Sequence, residues 1–151
     1  MFISDALGRR LARHCTKNNK IFIRNSFFFD GQEIGTLDYD GELVELKIPS
    51  LQDGESVAFE IKDSVYLPNY DLQGNVVSLA DPSTKQVVES YRYSAFGVET
   101  IFDADGVIQA TSRVNNPWRY AGNRVDSRTG LVHFTYRDYD PQLKRWIQPP
   151  K

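Results

Sequence analysis

Arg124, Asp126, Arg137, Asp138 and Asp140 lie close together near the C-terminal end of the chain. Two carboxylates brought side by side share one proton, because like charges push their pKa values apart, and such a pair can cleave a peptide bond. The same residues have a structural use: Asp126 and Asp140 as turn residues, with Arg124 and Arg137 as their ion-pair partners. His133 alternates with Val132 and Phe134, and a catalytic or metal role would need partners, His14 being the only other histidine. Cys15 beside His14 has the residue types of a nucleophile and its base. Adjacent positions on a helix point about 100° apart, however, and do not meet. The single cysteine excludes an internal disulfide and a multi-Cys zinc site. No glycine-rich phosphate loop, H-E-x-x-H or G-x-S-x-G is present, and no cofactor or metal is expected.

The elements that must hold these residues are read from composition and pattern. The chain has 151 residues, 40% apolar and 25% charged, which fits one soluble globular unit with a real core. Nine Phe, eight Tyr and two Trp favour pleated, half-buried surfaces. A net charge of −2 argues against binding nucleic acid through phosphate neutralisation. The local exception is Arg9, Arg10, Arg13, His14, Lys17 and Lys20, an anion-binding patch or a solvated face. Charged residues interrupt every apolar run near the N-terminus, so no Sec signal and no membrane span is read there. These features predict a soluble chain made in a reducing compartment, and export by a dedicated machine, which needs no Sec signal, stands as an alternative.

Only "SDALGRRLARHCTKN" has helical character, with Ser4 or Asp5 as cap and Leu7, Leu11 and His14 on one face; Gly8 sits badly within it. Beyond residue 20 the chain reads as short strands broken by turns. In "IFIRNSFFF", Ile21, Ile23, Phe27 and Phe29 share a face opposite Arg24 and Ser26. Asp30-Gly31 and Asp40-Gly41 suit tight hairpins. "ELVELKIP" puts Val44, Leu46 and Ile48 on one side and Glu45 and Lys47 on the other. Val87, Tyr91 and Tyr93 share a face, and "GLVHFTYRDY" reads as one alternating strand with Val132, Phe134 and Tyr136 together. The expected fold is all-β: meandering antiparallel hairpins in a curved or spiral sheet, with a short N-terminal helix.

A turn unit recurs, at "SDALGRR", "YDLQGNV", "YSAFGVE" and "FDADGVI", and more loosely at "YDGELVE", "VDSRTGL" and "YDPQLKR". An Asp (Asp5, Asp71, Asp103, Asp140) accepts a hydrogen bond from the backbone two residues on. A Gly (Gly8, Gly74, Gly97, Gly106, Gly130) then takes the left-handed conformation that reverses the strand. Ser94 stands where the unit has Asp, and a weaker version of the same bond is expected from it. The aromatics Tyr91, Tyr93, Trp118, Tyr120, Phe134, Tyr136, Tyr139 and Trp146 supply a core and edge cover, or a ligand platform.

On these residues the chain resembles the YD-repeat (Rhs) proteins and the related toxin-complex C subunits. "YDLQGNVVSLAD", "SYRYSAFGVE" and "NPWRYAGNRVDSRTGLVHFTYRDYDPQLKRWIQP" resemble the Rhs-associated core, so residues 64–151 read as a core-like segment and 1–63 as a looser YD-repeat-like segment of one continuous unit. Tyr70, Gly122, Pro141, Arg145 and Trp146 fall on that pattern. The resemblance implies hairpins wound into a hollow shell that encloses a C-terminal toxic domain, with the core capping one end. In several members the core also carries aspartates that cleave the chain. Three departures matter: Ser94 replaces the turn Asp, Lys144 a Gly, and Pro150 falls where an Asp is expected. The implied role is a shell element with protein partners: the rest of a shell, a toxin domain, or a second β-edge. Self-cleavage through Asp126 with Asp138 or Asp140, and surface recognition, stand as alternatives.

Overall fold

The computed structural model describes residues 2–6, 9–17, 20–29, 31–50 and 55–147. Among them the chain is built of strands and one 3-10 turn, Tyr120–Gly122. The strands of the larger sheet are β1 (Phe2–Ser4), β2 (Arg10–Lys17), β3 (Lys20–Phe29), β4 (Gln32–Leu37), β5 (Leu43–Pro49) and β6 (Ser56–Ile61). They continue as β7 (Ser64–Tyr70), β8 (Val76–Ala80), β9 (Val87–Tyr93), β10 (Glu99–Asp103) and β11 (Ile108–Gln109). All eleven pair with their sequence neighbours in one open antiparallel meander. A smaller sheet follows: β12 (Arg124–Val125), β13 (Val132–His133), β14 (Asp138–Asp140) and β15 (Arg145–Ile147).

The expected N-terminal helix is instead a hairpin. Phe2 pairs with Arg13 and Ile3 with Ala12, while His14 pairs with Ile23 on the other side of β2. Asp5 opens the turn: its amide donates to Arg9 O, and the Arg9 amide donates to Asp5 Oδ1, both at 2.9 Å. Helical propensity is a weak bias, and neighbouring strands override it here. Leu7, Gly8 and Asp30 lie outside the described residues, as do the side chains of His14 and Cys15.

The turn unit is observed at several hairpins. At Asp71, the Gln73 and Asn75 amides donate to Oδ1 at 3.0 and 2.9 Å, and Gly74 N donates to Asp71 O at 3.1 Å. Asp103 repeats this with Asp105, Val107 and Gly106. The turn expected at Asp40-Gly41 is braced by Asp38, whose Oδ1 accepts from Asp40 and Glu42, so "DYDG" is a further copy shifted in register. Ser94 does not make the expected bond to the amide two residues on; its Oγ accepts the Val98 amide, four residues on, at 3.1 Å. Asp81, Asp126 and Asp140 open turns one residue longer, with Lys85, Gly130 and Lys144 at φ 61°, 73° and 55°. Lys62-Asp63, both at positive φ, makes a two-residue hairpin.

Cross-strand partners share a face, so the register defines the buried side of the larger sheet. Lys47 pairs with Phe59 and Phe59 with Tyr66; Leu79 pairs with Glu89, and Tyr91 with Ile101. Phe59, Ile61, Val76, Leu79, Tyr91, Ile101 and Trp118 form the core. The alternation read in "ELVELKIP" holds, but the buried side is the charged one. Glu45 is 5% exposed and Ile48 38%. The stretch 130–139 is not a single strand, because Phe134 N donates to Arg137 O and turns the chain between β13 and β14. Tyr136, at that turn, is exposed while Val132 is buried.

The turn geometry predicts unequal responses to substitution. Lys85→Gly relieves a left-handed non-glycine residue and should raise stability by up to about 1 kcal/mol, whereas Gly74→Ala should lower it by about 1–2 kcal/mol. Urea denaturation of both variants checks this, and a loss from Lys85→Gly would contradict it.

Candidate functional site

The smaller sheet is joined to the larger one by a segment whose polar groups are nearly all engaged. The Asn116 carboxamide holds its own chain: Trp118 N donates to its Oδ1, and its Nδ2 donates to Trp118 O and to the Tyr91 hydroxyl, at 2.9–3.1 Å. Tyr91 O–H donates in turn to buried Glu89. That carboxylate also accepts from Ser112 Oγ at 2.6 Å and from the Arg113 amide at 2.8 Å. Trp118, 1% exposed, packs at 4.9 Å against Phe59 with the rings tilted.

Arg119 forms a two-pronged ion pair with Glu99, Nε to Oε2 at 2.7 Å and Nη2 to Oε1 at 2.8 Å, and also donates to Asn116 O. Val76 N donates to Arg119 O, and the Ala121 amide to Asn75 Oδ1. Tyr93 and Tyr120 pack at 5.7 Å, and a Cβ on Gly97 would lie 2.7 Å from the Tyr120 ring. Gly97, at φ 91°, is therefore required twice, for the turn and for the ring.

At the other side of Trp118 lies a cluster of charges. Arg124 Nη2 meets Glu33 Oε1 at 2.5 Å, and Nη1 meets Glu45 Oε1 at 2.6 Å. Glu45 also accepts from Thr36 Oγ1 at 3.0 Å and faces Arg24 at 3.5 Å. Glu33 reaches this side through a bulge. Ser26 pairs with Thr36 but Phe28 with Glu33, and the extra residue turns Glu33 onto the face of Thr36 and Glu45. Lys47 Nζ donates to Gly122 O at 2.6 Å; Lys47 and Arg124 lie 5.4 and 5.6 Å from the Trp118 ring centroid. Burial, more than any neighbour, lowers the Lys47 ammonium to about 8, with Glu33 opposing and Arg124 assisting. Burial also lowers Arg124, but Glu33 and Glu45 outweigh it and hold the guanidinium firmly charged. Burial, then Glu89, pushes the Tyr91 phenol well above its ordinary range.

Glu33, Arg124 and His133 line two clefts between the sheets, of about 500 and 870 Å³, so the ion pair forms part of the wall between them. Among the described residues no group of three His, Cys, Asp or Glu could hold a metal ion.

The residues singled out from sequence are distributed as follows. Asp126 is 2% exposed and meets Arg13 at 3.1 Å across the two sheets. Asp138 faces His133 Nδ1 at 2.8 Å, and Asp140 Oδ1 accepts the Gln142 and Leu143 amides. The three carboxylates thus have separate partners. Arg124 pairs with Glu33 and Glu45, not with the nearby aspartates, and Arg137 lies 3.9 Å over Trp146. Of the N-terminal basic cluster, Arg9 pairs with Asp5 and Arg13 with Asp126. Tyr70 O–H donates to Ser56 O, and Gly122 accepts from Lys47. Pro141 begins the turn before Arg145. The sequence reading missed Glu33, Glu45, Lys47, Glu89 and Arg119. The signal for the first four was charge on the alternating positions of β4, β5 and β9, and for Arg119 its place in "NPWRYAG".

No family model matches the chain. Among curated proteins it is 28% identical over 140 residues to the tRNA nuclease WapA of Bacillus subtilis (strain 168), and 29% identical over 141 residues to the tRNA(Glu)-specific nuclease WapA of Bacillus subtilis subsp. natto. Each match covers 91% of this chain, which spans only 6% of the length of either relative. Among solved structures, the fold is similar to that of TcdB2-TccC3, with a TM-score of 0.63 at 18% identity, over 97% of this chain and 8% of that one. It is also similar to that of the Photorhabdus luminescens Tc holotoxin pore, with a TM-score of 0.62 at 18% identity, over 99% of this chain and 7% of that one. An Rhs-related fold is thus supported at the level of architecture. No helix among the described residues is long and apolar enough to cross a membrane.

Two outcomes follow from the charge cluster. Arg124→Met removes the guanidinium that Glu33 and Glu45 share, leaving Glu45 only Arg24 at 3.5 Å, and should cost about 3–5 kcal/mol, of which Glu45→Gln in the same chain should restore part. The Lys47 test is one of pH. Between about 8 and 10.5 the unfolded chain keeps a proton that the folded one has lost, so stability rises with pH across that window, and the penalty is fully present below it. Lys47→Met should abolish that slope and gain about 1–3 kcal/mol at neutral pH. Denaturation curves at several pH values decide, and parallel profiles for the two chains would refute the assignment.

Proposed function

We propose that this chain is a structural element of an Rhs-type β-shell, equivalent to its core region, which closes the wall around an enclosed polypeptide. The observation that carries this reading is the clasp. A short second sheet folds back onto the larger one and is held there by Trp118, Arg119, Arg124 and Asp126 through contacts to β2, β4, β5, β6 and β10. An open eleven-stranded meander presents a buried-type face that something must cover, and this segment covers it. The likeness to TcdB2-TccC3 supports the architecture, and the likeness to the WapA nucleases supports a place within a far longer toxin-related protein. The partners are then proteins, a neighbouring wall and an enclosed domain, delivered outside the cell by a dedicated secretion system.

The separate partners of Asp126, Asp138 and Asp140 favour a structural role over self-cleavage. Asp126 opens a turn and ties β2 to the smaller sheet through Arg13, so its neighbour is an arginine and not the second carboxylate that aspartyl chemistry uses.

The test uses the chain joined to the coding sequence that surrounds it in its genome. Electron microscopy should show a hollow β-walled particle, and intact mass should be the same with and without Asp126→Asn. Cleavage near residue 150 in the wild type that is lost in Asp126→Asn would establish the enzymatic reading instead. An isolated slab with no β neighbours would remove the shell reading.

A further inference from the structure

One surface feature runs along the clasp and is joined to it by Tyr139, whose ring stacks at 6.1 Å on Tyr120. Six residues from three turns and the last two strands form a belt: Phe96, Lys144, Tyr139, Trp146, Phe134 and Arg137. Lys144 Nζ lies 4.6 Å from the Phe96 ring centroid, and Tyr139 O–H donates to Phe96 O at 2.9 Å. Tyr139 and Trp146 pack at 5.3 Å, Trp146 and Phe134 at 4.8 Å, and the Arg137 guanidinium lies 3.9 Å over Trp146. The belt is open to solvent, with Phe96 48% and Trp146 43% exposed, and exposed Leu143 beside it. Contiguous exposed aromatics of this kind mark interaction sites rather than ordinary surface.

Its charge identifies the partner. Arg9, Arg13, Arg24, Arg113, Arg119 and Arg124 each meet a carboxylate. Among the described residues neither Arg137 nor Lys144 has one within ion-pairing distance, and both rest on aromatic faces instead. Arg145, exposed in the same hairpin, pairs in register with Asp140 and lies on the opposite face from Trp146. The carboxylate in that turn, Asp140, is engaged by backbone amides. The belt is therefore cationic on a chain of net charge −2. Lys144 holds its place there at φ 55°, a conformation that glycine adopts without strain.

We propose that this belt is a docking surface for an acidic segment of a protein partner, with Trp146 and Phe96 taking its apolar side chains and Arg137 and Lys144 its carboxylates. A guanidinium over a ring keeps its N–H edges free, as an ammonium over a ring keeps donors turned outward, which suits both to receive carboxylates from an extended chain.

The experiment measures fluorescence anisotropy of the full chain with a labelled synthetic peptide of alternating Glu and Tyr, and with a twin carrying Lys in place of Glu. The Glu peptide should bind, at least about tenfold more tightly than its twin, and weaken as salt screens the charges. Arg137→Gln and Lys144→Gln should each weaken it several-fold. Arg92→Gln removes a similar exposed stack, over Phe102 and outside the belt, and should change nothing. Trp146→Phe, which keeps a ring in place, should retain part of the binding. Equal binding of the two peptides, no binding of either, or an equal loss from Arg92→Gln overturns the proposal. So does tighter binding of heparin or of single-stranded oligonucleotide than of the Glu peptide, which would mark a general polyanion site.

Discussion

Arg124 is a guanidinium enclosed between two sheets, and its position there holds only because Glu33 and Glu45 both reach it. An unpaired charge in that place would be expelled or would pull the sheets apart, so three carboxylate and guanidinium groups from β4, β5 and β12 must arrive together. The bulge at Phe27 and Phe28 delivers Glu33, the inward turn of β5 delivers Glu45, and the bridge between Trp118 and Arg124 presents the arginine. Buried ion pairs contribute less to net stability than apolar packing of the same volume, but they reject incorrect registers. A slip of one residue in β5 would put Leu46 where Glu45 stands and leave Arg124 uncompensated. The cluster thus sets which face of a long and otherwise repetitive meander is covered, and by what.

The remainder of the covered face grades from charge to apolar packing across the strands. Beyond β5 the facing residues become Phe59, Ile61, Leu79, Tyr91 and Ile101, and Trp118 bridges the two regimes. One of its flanks is Phe59, and the Lys47 and Arg124 cations lie near its ring. Glu89 is the exception within the apolar half. Three donors surround it, and through Ser112 and Arg113 it pins the crossing that carries the chain from β11 to the smaller sheet. The clasp and the core are one packed unit, which suits a wall element that must keep its shape.

The hairpin turns show how much variation this scaffold tolerates. An Asp that accepts two or more amides, with Gly to follow, is the recurrent solution. Its carboxyl at Asp81 is held below the usual range by the amides of Thr84 and Ser83. Ser94 and Lys85 depart from that solution without losing the hairpin, because the strands on either side are already paired over several residues. Lys144 departs from it in the one turn that carries the cationic belt.

The sequence alone determined the β character, the hairpin order beyond residue 20, most turn positions and the packing role of Tyr91 and Tyr93, because these depend on period-two alternation and on the local chemistry of Asp and Gly. It misjudged residues 10–17, whose weak helical pattern yields to strand partners on both sides. It also read 130–139 as a single strand, since alternation does not reveal a reversal at 134–137. The site was legible only as loose charges. Arg124 lies 91 residues from Glu33, and no local pattern encodes which carboxylate an arginine will meet at that separation. Tertiary structure alone decided that the charged side of β5 faces inward, because a bulge in one strand and a tryptophan from a distant segment together make that face the buried one.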